Sequence, residues 1–478
     1  MPAGHGWSRL PSSWRFLSGL LTSLLVHTTL LLILALLVYR LPEDEQIVLS
    51  APEDSQELPA LVEVTTTAPD GALEALESSS LVQSMDTDWT EFGSEMTLQD
   101  SGAATAAQPT DLVRAVESQD MLTRTWSFTE GGVEGRGGAL KARLLAERGG
   151  SSDGEGAVAD ALAWLAAHQA KDGSWDFDLQ KGPCDGRCRH GGTIGSTTGA
   201  TAIALLPFLG AAHTHETGEY SGVVRDGIYY LTSRLLQTTH GGDLQEGTMY
   251  AQGLATIALC EAYAMTGDET LRAPAQSALD FICNAQHAAG GWRYYPGQPG
   301  DTTVYGWQIM ALKSGRMARL SVPSPVLERA RSYLDSVQSE DGAFYGYQMP
   351  QRSPGPTAIG LLSRMYYGWN RNDPRLAKGV EYLVELGPSK NDVYFNYYAT
   401  QVLCHYEGAQ WKRWNLKMRD YLLQTQARQG HEAGSWHFED KHGSVGGRLY
   451  TTAMCAMILQ VYYRYLPLYS DQAAEQGF

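Results

Sequence analysis

The sequence predicts an all-α fold, an α/α toroid or (α/α)6 barrel of six helical hairpins, preceded by one transmembrane helix and a disordered acidic tether. Three observations support this prediction: helix-like segments that alternate in character from about residue 153 onward, a repeated Gln-x3-Gly-x-aromatic motif between them, and an N-terminal part of different composition. The chain of 478 residues is long enough for two or three domains, but a single large repeat fold also fits this length.

The N-terminal part begins with a tail, residues 1–15, and an apolar segment, residues 16–39, that has no charged residue. A helix of this length extends ~36 Å, enough to cross a hydrocarbon core of ~30 Å. A cleaved signal peptide fits less well, because the apolar run is long and no small residues follow it. More Arg residues precede the span than follow it. We expect a bacterial-type, single-pass protein of the cell membrane, with a cytoplasmic N-terminus and a periplasm-facing, extracytoplasmic toroid.

Residues 40–152 form an acidic segment rich in Ala, Ser and Thr. Residues 41–113 contain sixteen Asp and Glu and no Lys or Arg, so the rest of the chain has 37 acidic and 36 basic residues and the charge of −17 lies almost wholly here. Low hydrophobicity and one-signed charge do not offset the entropy of ordering, so we expect a mostly disordered linker with a short helix at 139–148. Its acidity also suits a basic partner protein. The near-neutral remainder does not indicate nucleic-acid binding.

Residues 153–470 alternate between two kinds of helix, and residues 471–478 form a tail. One kind is amphipathic and charged, which suits an outer ring, whereas the other is nearly uncharged, which suits burial on several sides. Repeats of this size cannot bury their apolar faces alone, so a closed ring of stacked pairs is expected. The predicted outer helices are residues 158–169, 223–237, 271–286, 326–338, 374–386 and 417–426. The predicted inner helices are residues 197–211, 249–266, 302–317, 357–369, 395–405 and 449–465.

The Gln-x3-Gly-x-aromatic motif recurs where an outer helix is predicted to end. Its glycine can adopt a positive φ and stop the helix, its glutamine amide can bond the free groups at helix ends, and its aromatic ring can cover them. We interpret the motif as a structural clasp. Its members are Gln169, Gly173 and Trp175; Gln286, Gly290 and Trp292; Gln338, Gly342 and Phe344; and, with an insertion, Gln426 and Trp436.

These repeats resemble the QW motifs of the terpenoid cyclase and protein prenyltransferase family, whose fold is an α/α toroid. The resemblance covers roughly residues 153–469. Squalene–hopene cyclases of this family carry Asp-x-Asp-Asp-Thr, in which the middle Asp donates the initiating proton. The similar stretch here is Gln298-Pro299-Gly300-Asp301-Thr302, with Gly300 at the place of the acid. Proton-initiated cyclisation is therefore not expected, because it needs a carboxylic acid at that place.

The zinc site of the prenyltransferases is also incomplete in this comparison. That family holds zinc through an Asp, a Cys two residues later and a His on a later inner helix. Asp301 matches the first ligand, but Thr303 and Phe395 stand where the Cys and the His would be. Zinc stays bound only if several protein ligands hold it. We expect no metal and no other cofactor.

Asp301 and Asp392 remain as candidate catalytic residues, although N-capping of an inner helix explains each equally well. The inner helices are also expected to line a central cavity, where aromatic faces bind apolar or cationic ligands. Ordinary core packing is the alternative interpretation of the same residues. The predicted lining residues are Tyr305, Trp307, Tyr366, Tyr367, Trp369, Tyr394, Tyr397, Tyr398 and Tyr450, with His405 and Arg448 at one mouth.

Cys184 and Cys188 flank a short loop before the first inner helix, with His190 two residues further on. In a domain outside the cytoplasm a disulfide between them is expected, and the intervening glycine permits the tight turn. A C-x3-C-x-H metal site is the alternative, but a fourth ligand is not evident nearby.

The sequence thus favours non-catalytic binding of an isoprenoid-like ligand or a partner protein, in a toroid that lacks its family's catalytic residues. A divergent isoprenoid cyclase or transferase that works through Asp301 or Asp392 is the alternative, so enzymatic activity stays open at this point. The expected partners are the lipid bilayer, through the transmembrane helix, and an isoprenoid-like lipid or a protein.

Overall fold

The computed structural model describes residues 133–440, 442–466 and 468. The predicted transmembrane helix and most of the predicted acidic linker lie outside these residues. In the part that is described, we find no helix with both the length and the apolar composition that a membrane span requires. The short helix predicted at 139–148 is present as α1, Gly138–Arg148, which ends at Gly149 in the left-handed region (φ 81°).

Six helical hairpins follow α1 in the described residues. The outer helices are α2 (Ser152–Ala167), α4 (Ser221–Arg234), α6 (Glu269–Asn284), α8 (Ser324–Val337), α10 (Pro374–Leu386) and α12 (Gly408–Thr425). The inner helices are α3 (Thr197–Gly210), α5 (Met249–Thr266), α7 (Thr302–Met317), α9 (Pro354–Tyr366), α11 (Val393–Tyr406) and α13 (Gly443–Leu459). A short helix, α14 (Val461–Arg464), comes last. Two antiparallel strand pairs lie in the loops: β1 (Leu236–Thr238) with β2 (Gly241–Asp243), and β3 (Gln338–Ser339) with β4 (Phe344–Tyr345).

The inner helices form a closed ring, because each contacts the next and α13 contacts α3 again. The two helix types differ in burial as their compositions predict. In α5 every residue from 251 to 262 is buried, whereas α10 buries one stripe made of Leu376, Gly379, Val380, Leu383 and Val384. An all-round apolar helix must be covered on all sides, and the outer helices cover this one. The predicted all-α toroid is therefore confirmed.

Three clasps share one geometry, shown by the central copy. The amide of Gln286 donates to the carbonyls of Gly290 (2.9 Å) and Val326 (2.9 Å), and the second of these lies in the next outer helix, α8. The indole of Trp292 donates to Ile282 O at the end of its own outer helix (2.8 Å). Gly290 has φ 93°, and a Cβ there would overlap the carbonyl oxygen of Arg329. The indole, rather than the glutamine, therefore satisfies the end of the outer helix.

The first and last clasps repeat this pattern, and the last one closes the ring. Gln169 donates to Gly173 O and to Val223 O of α4, and Gln426 donates to Gly434 O and to Ala157 O of α2. The Gln338 copy differs, because its Gln is in β3 and accepts a hydrogen bond from Arg364 (3.1 Å).

Candidate functional site

The six inner helices begin at one face of the ring, which we call the mouth, and end at the opposite face, which we call the far face. They run in the same direction because each follows an antiparallel outer helix. Side chains cap several of the starts: Ser196 accepts from Gly199 N, Asp301 from Thr303 N and Val304 N, and Asp392 from Phe395 N. The mouth is also the face at which the clasps and their loops lie.

Asp301 is fully buried; its Oδ1 is hydrogen-bonded, whereas its Oδ2 makes no hydrogen bond within the described residues. Its Oδ1 accepts from the Thr303 hydroxyl (2.6 Å) and from the amides of Thr303 (3.0 Å) and Val304 (2.9 Å). Its Oδ2 lies 3.7 Å from Nε of Arg293. Asp392 accepts from the Phe395 amide (2.8 Å). Both candidate catalytic aspartates are thus N-caps, which stabilise helix starts.

Gly300, the position of the acid in squalene–hopene cyclases, has no room for a side chain. A Cβ there would lie 2.6 Å from Cα of Gly291 and 2.8 Å from the Tyr333 ring. Real Cβ atoms essentially never approach other atoms this closely, and the nearest atom belongs to the backbone. An acid at this place would require the clasp loop to move.

The aromatic side chains predicted to line a cavity largely fill the interior. Trp307 on α7 stacks on Tyr397 of α11 (5.5 Å between ring centroids) and lies edge-on to Tyr394 and Tyr398 (6.1 and 5.9 Å). Helix α9 separates α7 from α11 along the ring, so these contacts cross its interior. None of the four rings is more than 5% exposed. These four rings are therefore part of the packed core, which was the alternative interpretation of the sequence.

Several other predicted lining residues lie elsewhere. Tyr305 packs outward against Trp292 and Tyr333, the Tyr367 hydroxyl donates to Leu327 O of α8, and Arg375 covers the Trp369 ring. His405 is at the end of α11 and therefore at the far face, not at the mouth with Asp301. Tyr366 is also at the far face, where α9 ends. The predicted inner helix 357–369 ends at Tyr366, so Tyr367 and Trp369 lie beyond it; for the residues on inner helices, sequence periodicity does not give the direction of the side chain.

Four tyrosines lie near the start of α7 at the mouth, and we call Tyr250, Tyr294, Tyr347 and Tyr394 the tyrosine rim. The hydroxyls of Tyr250 and Thr303 are 2.8 Å apart, and Tyr394 donates to Thr303 O (2.7 Å). The hydroxyls of Tyr294 and Tyr347 are 3.5 Å apart. Tyr294 is 37% exposed, and Tyr250 and Tyr347 are half-buried, as is the neighbouring Tyr450. Only Tyr394 and Tyr450 of these were predicted as binding residues.

The far face holds a buried group of charges that sequence reasoning missed. Glu261 accepts from Arg136 (2.9 Å) and Arg464 (3.0 Å) and from the Tyr465 hydroxyl (3.0 Å). Burial alone would raise the pKa of Glu261, but the two guanidinium groups outweigh it and hold the pKa below its ordinary value. Lys313 lies over the Tyr465 ring (4.1 Å), and burial lowers its pKa to about 7.

Cys184 and Cys188 are free cysteines, in contrast to the disulfide expected from the sequence. Their sulfurs face His168 and His431, and the donor atoms of all four side chains lie within 4.8 Å of one another. We call these four residues the Cys/His cluster. Burial lowers the pKa of His168 to about 4 and raises the pKa of Cys188 to about 11. Two thiols and two imidazoles in this arrangement could hold a metal ion, and the sequence did not predict that these four residues come together.

The predicted neighbour His190 is outside the Cys/His cluster, since its ring stacks on His437 (4.0 Å). Sequence reasoning missed His168 and His431 because they are far apart along the chain. One signal was available: the last clasp contains an insertion, between Gln426 and Gly434, that clasp geometry does not need, and His431 lies within it. Arg448, predicted at a mouth, lies beside this cluster and pairs with Glu432 (3.1 Å).

Comparison with known proteins gives relatives by sequence. No model of a known protein family matches the chain. A probable squalene–hopene cyclase of Sinorhizobium fredii is 27% identical over 289 residues, which is 51% of this chain and 42% of that protein. A squalene–hopene cyclase of Bradyrhizobium diazoefficiens is 28% identical over 116 residues, 22% of this chain and 17% of that protein. The chain thus spans less than half the length of these relatives.

Solved structures with similar folds include two enzymes of different chemistry. The match to the type II terpene cyclase MstE from Scytonema covers 65% of this chain and 98% of that chain, with a TM-score of 0.44 and 13% identity. The match to an α-1,6-mannanase of Salegentibacter covers 65% of this chain and 99% of that chain, with a TM-score of 0.47 and 10% identity. The sequence relatives confirm the predicted resemblance: the chain is related, at low identity, to the squalene–hopene cyclases of the terpenoid cyclase family.

Proposed function

We propose that this chain is a non-catalytic binding protein on a terpenoid-cyclase-like toroid, and that the tyrosine rim binds an apolar, isoprenoid-like ligand. The observation that carries the proposal is the rim itself. The partly exposed rings of Tyr250, Tyr294 and Tyr347 lie at the mouth, above the buried Tyr394 and an interior filled by other aromatic side chains. Tyrosine offers an apolar ring with a polar edge, which suits a ligand that has an apolar chain and one polar end.

The chemistry at the mouth supports binding rather than cyclisation. A cyclase of this kind needs a protonated carboxylic acid directed at the substrate alkene. Gly300 leaves no room for that acid. Asp301 caps α7 through Oδ1, and its Oδ2, which makes no hydrogen bond in the described part of the chain, lies 3.7 Å from Nε of Arg293. Asp392 has a cap of the same kind. Each aspartate therefore uses one carboxylate oxygen to cap its inner helix.

The membrane anchor is part of the same proposal. The apolar segment at 16–39 holds the toroid outside the cytoplasm, close to a bilayer from which an isoprenoid-like lipid reaches the mouth. Protease added to intact spheroplasts should digest the toroid and spare an epitope tag at the N-terminus. Digestion of the tag with protection of the toroid would reverse the orientation, and recovery of the full chain in the soluble fraction would exclude the anchor.

Mass spectrometry of lipids that co-purify with the full chain tests the ligand. We expect an isoprenoid-like lipid at near-stoichiometric amount in the wild type and at least ~10-fold less in the Tyr294→Ala/Tyr347→Ala variant, since a loss of ~1.4 kcal/mol in binding has that effect. Tyr229→Ala is the matched control, because Tyr229 is 71% exposed on the outer helix α4, away from the mouth. The control should retain the lipid.

Turnover separates this function from the alternative enzyme. Squalene and a polyprenyl diphosphate incubated with the purified chain should be recovered unchanged. A cyclised or transferred product whose formation is lost in Asp301→Asn or Asp392→Asn would overturn the non-catalytic assignment. Absence of any isoprenoid-like lipid, or equal lipid in the rim variant, would exclude the rim as the binding site.

A further inference from the structure

The Cys/His cluster joins the first hairpin to the last. His168 follows the end of α2, Cys184 ends the 3-10 turn Gly182–Cys184, and His431 lies in the 3-10 turn Gly430–Glu432 that precedes α13. Cys188 Sγ is 3.1 Å from His431 Nδ1 and 3.5 Å from His168 Nε2. Cys184 Sγ is 3.8 Å from His431 Nδ1. Both cysteines and His168 are buried.

These separations match a tetrahedral zinc site. Zinc–sulfur bonds of ~2.3 Å and zinc–nitrogen bonds of ~2.05 Å put neighbouring donor atoms ~3.3 to 3.8 Å apart. The three measured distances lie within or close to this range, and no pair in the cluster exceeds 4.8 Å. Two thiolates and two imidazoles are also the donor set of Cys2His2 sites.

The surroundings orient the histidines as metal ligands. Nδ1 of His168 is 2.6 Å from Trp164 O, and because a carbonyl only accepts, Nδ1 carries the proton and Nε2 presents its lone pair to Cys188. The Trp164 indole stacks on His168 (3.8 Å) and donates to His431 O (3.1 Å). One side chain therefore positions both histidines, as outer partners do in metal sites.

Charge favours a divalent cation over a disulfide. Two thiolates and one Zn²⁺ sum to zero, so the filled site places no net charge in the buried interior. A disulfide would use both sulfurs and leave Nε2 of His168 and Nδ1 of His431 facing them without a donor. A metal also keeps the thiols reduced in a domain outside the cytoplasm, where free cysteine pairs oxidise.

We propose that His168, Cys184, Cys188 and His431 bind one zinc ion that fastens the first hairpin of the ring to the last. Four protein ligands leave no position for water or substrate, so the ion is structural. The chain itself connects all the other neighbouring hairpins. Between the first and last hairpins there is no such connection, and only side-chain and backbone contacts join them. The zinc supplies a cross-link there. It uses none of the prenyltransferase positions, since Thr303 and Phe395 lie on other helices.

Metal analysis of the full chain, purified without chelator, tests the site. We expect about one zinc per chain in the wild type and less than ~0.1 in Cys184→Ser/Cys188→Ser. Cys283→Ser is the matched control, because Cys283 lies on outer helix α6, outside the cluster, and should leave the zinc content unchanged. Cobalt exchanged into the wild type should show the intense visible absorption of a tetrahedral ion with thiolate ligands.

Histidine variants keep the test decisive if the double cysteine variant does not fold. His431→Gln should lower zinc affinity, measured by competition with a chromophoric chelator, whereas His431→Cys should restore it, because Cys3His sites also hold zinc. A role in packing alone would not give this order. A wild type without metal and with Cys184 joined to Cys188 would overturn the proposal, as would zinc retained in the double variant or another metal at stoichiometric amount.

Discussion

The two faces of the ring satisfy the ends of the same six helices in different ways. At the mouth, carboxylate and hydroxyl groups accept from the amides of the helix starts. Some are close in sequence, as Asp301 is to residues 303 and 304, whereas Glu246 accepts from Thr198 N and Asp440 from Val393 N across more than forty residues. At the far face, arginines meet the carbonyls at the end of α3: Arg136 donates to Leu209 O (3.3 Å) and Arg464 to Leu206 O (2.6 Å). These arginines come from before and after the ring.

The difference follows from the parallel inner helices. Their dipoles add, so the mouth favours negative groups and the far face positive ones. At the mouth, the loops that precede the inner helices supply the carboxylates and hydroxyls that meet these helix starts. The far face has no repeated loop of this kind, and it gathers cations that need a buried anion between them. Glu261 has that role, since it pairs with both arginines.

The largest effect should come from removing that anion. Glu261→Gln keeps the shape of the side chain but leaves Arg136 and Arg464 buried without a counter-charge, and breaking a buried pair costs ~3 to 5 kcal/mol. Because two buried cations lose their counter-charge, we expect the free energy of unfolding to fall by about 5 kcal/mol, measured by chemical denaturation of the full chain.

Glu269→Gln is its control, because the pair of Glu269 with Arg272 is exposed on both sides. It should leave stability unchanged within error, as surface pairs contribute little. An equally small effect of Glu261→Gln would mean that the far face tolerates unpaired cations, and the contrast between the faces would then be only one of which charge meets the helix ends.

A substitution in a clasp measures how much the mouth contributes to the same free energy of unfolding. Trp292→Ala removes a fully buried side chain and its bond to Ile282 O, and truncation of a core Trp costs ~3 to 5 kcal/mol. We expect about 4 kcal/mol, somewhat less than for Glu261→Gln, because the variant leaves no buried charge without a partner. An unchanged unfolding curve would mean that the repeated motif is not a stabilising element.

The sequence predicts the parts of the fold that local signals control. Helices α5, α7 and α10 have the predicted bounds, and each has a local marker: Gly267 in the left-handed region ends α5, Asp301 caps α7 and Asp373 caps α10. Helix α12 begins nine residues before the prediction, at Gly408. Only Glu407, with φ 63°, separates it from α11, and no turn pattern precedes it.

The parts that the sequence does not predict depend on contacts between distant residues. Glu261 is an isolated acid in an apolar helix, and its partners are distant in sequence: Arg136 lies before the ring and Arg464 at the end of the last predicted inner helix. His168 and His431 belong to opposite ends of the ring, so they meet only when it closes. The direction of each inner-helix tyrosine also depends on its neighbours, which explains why Tyr305 and Tyr394 share a helix type but face opposite ways.

The smallest predicted effect is the pH dependence that Lys313, at the far face, gives to the free energy of unfolding. Lys313 has an ordinary pKa of 10.5, and burial lowers it to about 7 in the folded chain, although Glu261 acts in the opposite direction. Below about pH 7 both states bind the proton, and the buried ammonium carries its full desolvation cost. Between pH 7 and 10 the unfolded state binds the proton and the folded state does not, so the free energy of unfolding rises with pH.

Lys313→Met isolates this contribution, because the other titrating groups cancel in the difference between variant and wild type. Burial and the nearby Lys313 hold the pKa of His405 well below its ordinary value, so it does not titrate in this window. From pH 7 to about pH 9 the wild type should gain ~2 kcal/mol relative to Lys313→Met. Lys378→Met is the control, because Lys378 of α10 forms an exposed ion pair with Glu340. Its free energy of unfolding should change with pH in parallel with that of the wild type. A constant difference for Lys313→Met would show that Lys313 keeps its charge across this range, and that the far face holds three cations rather than two around Glu261.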